Sequence, residues 1–118
     1  MRTITIKRAY EDATKADGYR VLVDRLWPRG RTKEQMALAQ WSKEWAPSPA
    51  LRTWFDHRPD RFVEFTRRYT AEMKANPAIK EALTSLPKTR VTLVYGARDP
   101  KINHAVVLAQ YLKRRSQA

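Results

Sequence analysis

Three short apolar runs have the pattern of β-strands, one alternating and two continuous. Thr3-Ile4-Thr5-Ile6 alternates polar with β-branched residues, as a half-buried strand does. Tyr19-Arg20-Val21-Leu22-Val23-Asp24 has a continuous apolar centre, which suits a strand covered on both faces, and Asp17-Gly18 before it is a turn signal. Val91-Thr92-Leu93-Val94-Tyr95 is a second run of that kind, closed by Gly96. The two buried-type runs lie far apart with helical pattern between them, which predicts a parallel crossover.

The remaining apolar positions recur at helical spacing behind capping signals. Thr32 with Gln35 three residues on is a capping box, and it predicts a helix carrying Leu38, Trp41 and Trp45. Ser48-Pro49 pairs an N-cap with a first-turn proline and opens a short helix through Leu51, Trp54 and Phe55. Asp60 is expected to cap a helix whose stripe is Phe62, Phe65, Tyr69 and Met73. Asn76-Pro77 opens another, with Ile79, Ala82, Leu83 and Leu86, and Pro87 stops it. Asn103 caps the last, which offers Val107, Leu108, Tyr111 and Leu112 for burial. Arg115 to Ala118 are expected to fray. The order of elements predicts one small α/β domain spanning residues 1–118. Its sheet is short and mostly parallel, with about three strands, and helices flank it.

Composition removes several chemistries. A chain of 118 residues supports one core, and 42% hydrophobic content is too rich for a disordered chain. The lack of cysteine excludes disulfides, thiolate nucleophiles and Cys-ligated metals. Two histidines far apart in sequence, His57 and His104, are a weak metal signal, so no metal is expected. No phosphate-loop or dinucleotide fingerprint occurs, and no cofactor is expected. No run approaches the roughly 20 apolar residues of a membrane span, and the first residues do not resemble a signal peptide. A cytoplasmic protein without a membrane partner is the expectation.

The formal net charge is +12. Residues 1–59 hold 12 Lys+Arg against 7 Asp+Glu, and residues 60–118 hold 12 against 5, so the excess is shared by two halves that both look folded. Such an excess favours anionic partners. Part of it, Lys113-Arg114-Arg115, suits the C-terminus of a helix.

Three segments could carry chemistry. Asp24-Arg25-Leu26-Trp27-Pro28-Arg29-Gly30-Arg31 follows a buried strand, and ligands of open α/β sheets bind beyond the carboxyl ends of strands. Arg25 and Arg29 could converge there on a carboxylate or phosphate. The plainer reading is an Asp24–Arg salt bridge that pins the loop while Trp27 plugs the core. Tyr95 to His104 leads from a strand into a helix N-terminus, where unpaired N–H groups join Arg98, Lys101 and His104 as anion-binding candidates, with Asn103 at the cap. There the plainer reading is capping by Asn103. In the third segment, Trp41 to His57, the aromatics read first as core, and as a nucleobase platform second. It ends in His57, a loop histidine that Asp56 or Asp24 could orient as a general acid or base.

These segments together resemble a known family. "RVLVDRLWPRG", "W-x-K-x-WAPSPALRTWFDHRPDRF", "F-x-x-RY" and "VTLVYGARDPKINHAVVLAQYL" look like the YeaO-like family of bacterial proteins, a domain family of unknown function, over Ile4 to Leu112. The resemblance implies a compact single α/β domain with no established reaction. Asp24, Arg25, Arg29, Arg52, His57 and Asn103 stand in its characteristic motifs. Longer relatives carry a cysteine at the last strand's end and Cys-His-Arg at the helix start. Here those places hold Tyr95 and Asn103-His104-Ala105, so thiol or metal chemistry does not carry over.

The functional expectation is a pocket for a small anionic ligand. Arg25, Arg29, Arg52 and Arg98 with Asn103 and His104 would bind it, and His57 with Asp24 would do any proton transfer. A nucleic-acid binding module and a protein-interaction domain for an acidic partner are the alternatives. The oligomeric state stays open.

Overall fold

The side-chain alternation of the strands decides which residues face which layer. A computed structural model describes residues 2–116. The strands are β1 (Thr3–Arg8), β2 (Tyr19–Leu22), β3 (Gln40–Trp41) and β4 (Arg90–Tyr95). The helices are α1 (Lys33–Met36), α2 (Pro49–Phe55), α3 (Phe62–Lys74), α4 (Pro77–Ser85) and α5 (His104–Ser116). The four strands form one sheet in the order β1-β4-β2-β3, and every pairing is parallel. β4 runs between β1 and β2, and Val91 to Tyr95 are all buried, as expected for a strand with neighbours on both edges and helices on its face.

Val21, Val23, Val91, Leu93 and Tyr95 face the main core, where Phe65, Tyr69, Met73, Ile79, Leu108 and Leu112 of the helices pack against them. The alternate positions face the other way. Leu22 and Val94 join Met36 and Ala9 in a second, smaller cluster, against which Trp27, Leu38 and Trp41 pack. Toward the start of the strands that second face is polar. Arg20 and Thr92 are buried there with Asp17, whose carboxylate takes Arg20 Nη1 at 2.7 Å and Lys7 Nζ at 3.1 Å.

Most caps form as the sequence implies. Thr32 and Gln35 close a capping box, Ser48 Oγ accepts from Leu51 N, Asn76 Oδ1 from Ala78 N, and Asn103 Oδ1 from Val106 N. The helix predicted through Leu38, Trp41 and Trp45 does not form. α1 ends after Met36, where Ala37 turns left-handed at φ 45°, and the chain then runs beside β2. Ala39 N donates to Arg20 O and Ser42 N to Leu22 O. The reason lies in the two layers. Leu38 and Trp41 pack into the small cluster while Trp45 lies in the main core, and one helical stripe cannot face both. The sheet therefore has four strands, one more than about three. Asp60 does not cap α3 either. It sits in a single 3₁₀ turn (Pro59–Arg61) and pairs with Arg58 at 3.2 Å. Of the tail expected to fray, Arg115 and Ser116 continue α5, and Gln117 and Ala118 lie outside the described residues.

Gly18 shows how tightly the start of β2 is seated. Its φ is +66°, and a Cβ there would stand 2.5 Å from Arg90 O. Gly18→Ala is expected to cost more than about 1 kcal/mol, since both the conformation and the space exclude a side chain. Urea unfolding checks this, and an unchanged midpoint would contradict it.

Candidate functional site

The parallel register brings two strand exits side by side. Leu22 pairs with Val94, so Val23 and Asp24 continue next to Tyr95 and Gly96. Val23 N donates to Val94 O at 3.0 Å, and Gly96 N donates to Asp24 Oδ2 at 2.8 Å. Beyond this point the chain leaves in opposite directions. β2 leads toward β3, and β4 leads into α5, which packs against β1. A crevice at such a divergence is where open α/β sheets bind ligands.

A cavity of about 630 Å³ occupies that crevice. Asp24, Arg25, Arg52, His57, Asn103 and His104 line it. They come from three distant stretches: the exit of β2, α2 with the turn after it, and the start of α5. Arg29 and Arg98, expected at the same place, do not line it, and both are exposed. The carbonyl of Arg29 instead accepts from Tyr10 Oη at 3.1 Å.

The loop after β2 is held at several points. Asp24 O accepts from Trp41 Nε1 at 2.7 Å, and Arg25 Nε donates to Pro47 O at 3.2 Å. No arginine bridges Asp24 among the described residues, so the salt bridge considered from sequence is absent. The histidine beside Asp24 is His104. Its Nε2 stands 3.2 Å from Asp24 Oδ1 and 3.0 Å from Val23 O. No hydrogen bond or ion pair joins Asp24 to His57. Because a carbonyl only accepts, Val23 O places the ring proton on Nε2 of a neutral His104.

α2 carries Arg52 into the cavity wall. The helix is anchored through its cap: Ser48 N and Oγ both donate to the Glu72 carboxylate of α3, at 2.8 and 2.6 Å. Past its end, Asp56 and His57 both take positive φ, at 49° and 54°. Such conformations are uncommon outside glycine and turn the chain sharply at the cavity rim. Neither the Arg52 guanidinium nor the His57 imidazole has a hydrogen-bond or ion-pair partner among the described residues. Arg25 uses Nε alone, which leaves both of its Nη atoms without a partner among the described residues.

Asn103 lines the cavity but has little to offer a ligand. It is 1% exposed, its Oδ1 accepts from Val106 N at 3.0 Å, and its Nδ2 donates to Asp99 O at 2.7 Å. The back wall is aromatic. Phe55 and Phe65 stack with centroids 4.2 Å apart. Tyr69 lies beyond them, its hydroxyl donating to Trp45 O, and burial pushes its phenol far above the usual range. The tryptophans are occupied by the fold. Trp45 is buried, Trp27 meets Trp41 edge-on at 5.5 Å, and Arg61 and Arg68 both lie over the Trp54 ring.

Sequence reasoning missed Leu26, Thr53 and Phe65 as lining residues, and it missed the Glu72 clasp. Leu26 and Thr53 lie within the candidate segments beside Arg25 and Arg52, whereas no local pattern marks Phe65 or Glu72, which reach their partners across the tertiary structure. Among the described residues no helix is long and apolar enough to cross a membrane, and no three His, Asp or Glu side chains form a metal-holding group.

An uncharacterised protein of Mycobacterium tuberculosis is 42% identical over 112 residues, covering 95% of each chain. The uncharacterised protein YeaO of Escherichia coli K12 is 41% identical over 111 residues, 93% of this chain and 96% of its own. No solved structure matches. Residues 3–118 match the family DUF488-N3i, described as "Inactive DUF488-N3 subclade". With residues 3–118 matched by the family model, the protein belongs to the DUF488-N3i family, and YeaO is one of its relatives.

Proposed function

We propose that the cavity binds a small phosphate- or carboxylate-bearing ligand and that the protein acts by binding rather than by turnover. The observation that carries this is the pair Arg25 and Arg52. Both line one cavity, and the Nη atoms of Arg25 and the whole guanidinium of Arg52 lack a protein partner among the described residues. Arginine's planar donors suit oxyanions. Absence of turnover is supported by two things. Asp24 is engaged by Gly96 N and lies against His104, and the matched family is described as inactive. A cytoplasmic location belongs to the same proposal.

The test is a titration of ¹⁵N-labelled protein with sulfate, phosphate, pyrophosphate and citrate. Amide shifts at Thr53, Gly96 and Ala97 are expected. Arg52→Ala should weaken binding by about ten-fold or more, as loss of a charged hydrogen bond does. Its stability should stay within about 0.5 kcal/mol, because the side chain is exposed and unpaired. If none of the four anions shifts these amides, the reading fails.

The net charge of +12 favours a nucleic-acid surface as a second reading, because the cavity accounts for few of the 24 basic side chains. Filter binding to single- and double-stranded DNA and RNA at about 50 mM salt separates the two, since phosphate contacts are strong there.

A further inference from the structure

The ionisable side chains around the cavity are few and nearly balanced. Arg25 and Arg52 are positive, Asp24 and Asp56 are negative, and the rest are His57 and His104, the only histidines in the chain. No lysine or glutamate lines it. With both imidazoles neutral, the wall carries two charges of each sign and no formal net charge. With both protonated, it carries +2.

We propose that His57 and His104 set the sign of the cavity's charge, so that anion binding takes up protons. This rests on the anion-binding reading above and adds its control by pH.

The geometry of His104 suits the role. Its Nε2–H is committed inward, to Val23 O at 3.0 Å with Asp24 Oδ1 at 3.2 Å. Its Nδ1 has no hydrogen-bond partner among the described residues, so a second proton enters there without breaking the inner contact. Asp24 Oδ1 is buried and has no hydrogen-bond donor among the described residues, and an imidazolium beside it supplies the missing countercharge. From α3 the Tyr69 ring meets the His104 ring edge-on at 6.3 Å, and its buried phenol stays neutral. Besides Val23 O, the contacts of the His104 ring among the described residues are therefore the Asp24 carboxylate and the neutral Tyr69 ring, with Arg25 beside Asp24 on the same cavity wall and Glu72 of α3 near Tyr69.

His57 contributes differently. It stands on the exposed left-handed turn beside Asp56, its ring 6.3 Å from that of Phe55, and no partner among the described residues fixes either nitrogen. An anion drawn between Arg25 and Arg52 gains from each imidazolium added to the wall. Histidine is the side chain whose charge changes within the physiological range.

Sulfate is the probe, because it keeps its two charges across that range and any pH dependence belongs to the protein. Calorimetric titrations at about pH 8 and about pH 6 bracket histidine ionisation. The expected result is an affinity about ten-fold or more higher at the lower pH. At fixed pH, two buffers of different ionisation enthalpy should report net proton uptake on binding. His57→Asn tolerates the left-handed turn, and His104→Gln keeps an amide N–H for Val23 O. Each should reduce the uptake, and the double variant should abolish it. Wild-type protein that binds sulfate equally at both pH values, or without proton uptake, would overturn this inference and leave the anion site standing. Failure of all four anions to bind at either pH would instead remove the anion site itself.

Discussion

Asp17→Ala lowers the stability of the domain by about 3–5 kcal/mol, the usual consequence of removing one partner from a buried ion pair. Asp17 is 7% exposed and Arg20 3%. The carboxylate accepts from Arg20 Nη1, Lys7 Nζ, Thr14 N and Thr14 Oγ1. Arg20 has few other partners. Its Nε donates to Met36 O, and its Nη2 is buried with none among the described residues. Without Asp17 the guanidinium is left as an uncompensated charge between the sheet and α1.

The same carboxylate makes stability depend on acid. Burial opposes its ionisation, but the Thr14 N–H, Lys7 and Arg20 outweigh burial and bring it from 3.8 down to about 2. A value depressed by folding stabilises the native state above the unfolded value and stops doing so as pH falls through the folded one. Asp17 therefore contributes about 2 kcal/mol above roughly pH 5, lost between there and about pH 2. Denaturant midpoints of wild type and Asp17→Asn, followed from pH 7 downward, should converge over that interval. Curves that stay parallel would refute the assignment.

Phe65→Ala costs about 3–5 kcal/mol, the range for removing a buried phenyl group. Phe65 is 1% exposed and stacks on Phe55 at 4.2 Å, with Tyr69 at 5.6 Å and Phe62 at 6.2 Å. The ring joins α2 to α3 and forms part of the cavity's back wall. Its loss should weaken both the fold and anion binding, whereas Arg52→Ala weakens binding alone. Phe65→Leu keeps much of the apolar volume and should retain most of the stability. Urea unfolding orders the three proteins. A loss below about 1 kcal/mol for Phe65→Ala would mean that the wall collapses easily around the missing ring.

The caps at Thr32, Ser48, Asn76 and Asn103 were legible because a cap is a contact between residues two or three apart. The strands were legible for a similar reason, since the alternation of Thr3 to Ile6 and the continuous apolar runs of Val21 to Val23 and Val91 to Tyr95 report burial directly. The segment from Ala37 to Trp45 was not. Its aromatic spacing fits a helix, and only the presence of two separate apolar layers breaks it into a turn, a two-residue strand and a 3₁₀ turn. β3 is too short to have a period at all.

The site divides in the same way. That polar residues cluster after the β2 and β4 runs is written in the sequence, because strand exits follow from strand ends. Which of them meet is not. Arg25 and Arg52 reach the cavity while Arg29 and Arg98 do not, and Asp24 finds His104 rather than His57. The chain by itself determined one basic α/β domain, its main caps and strands, and the loops that could hold a ligand. The tertiary structure alone decided the sheet order, the splitting of 37–45 and the partners of each charged side chain. Those depend on packing between residues as far apart as Asp24 and His104, for which no local pattern exists.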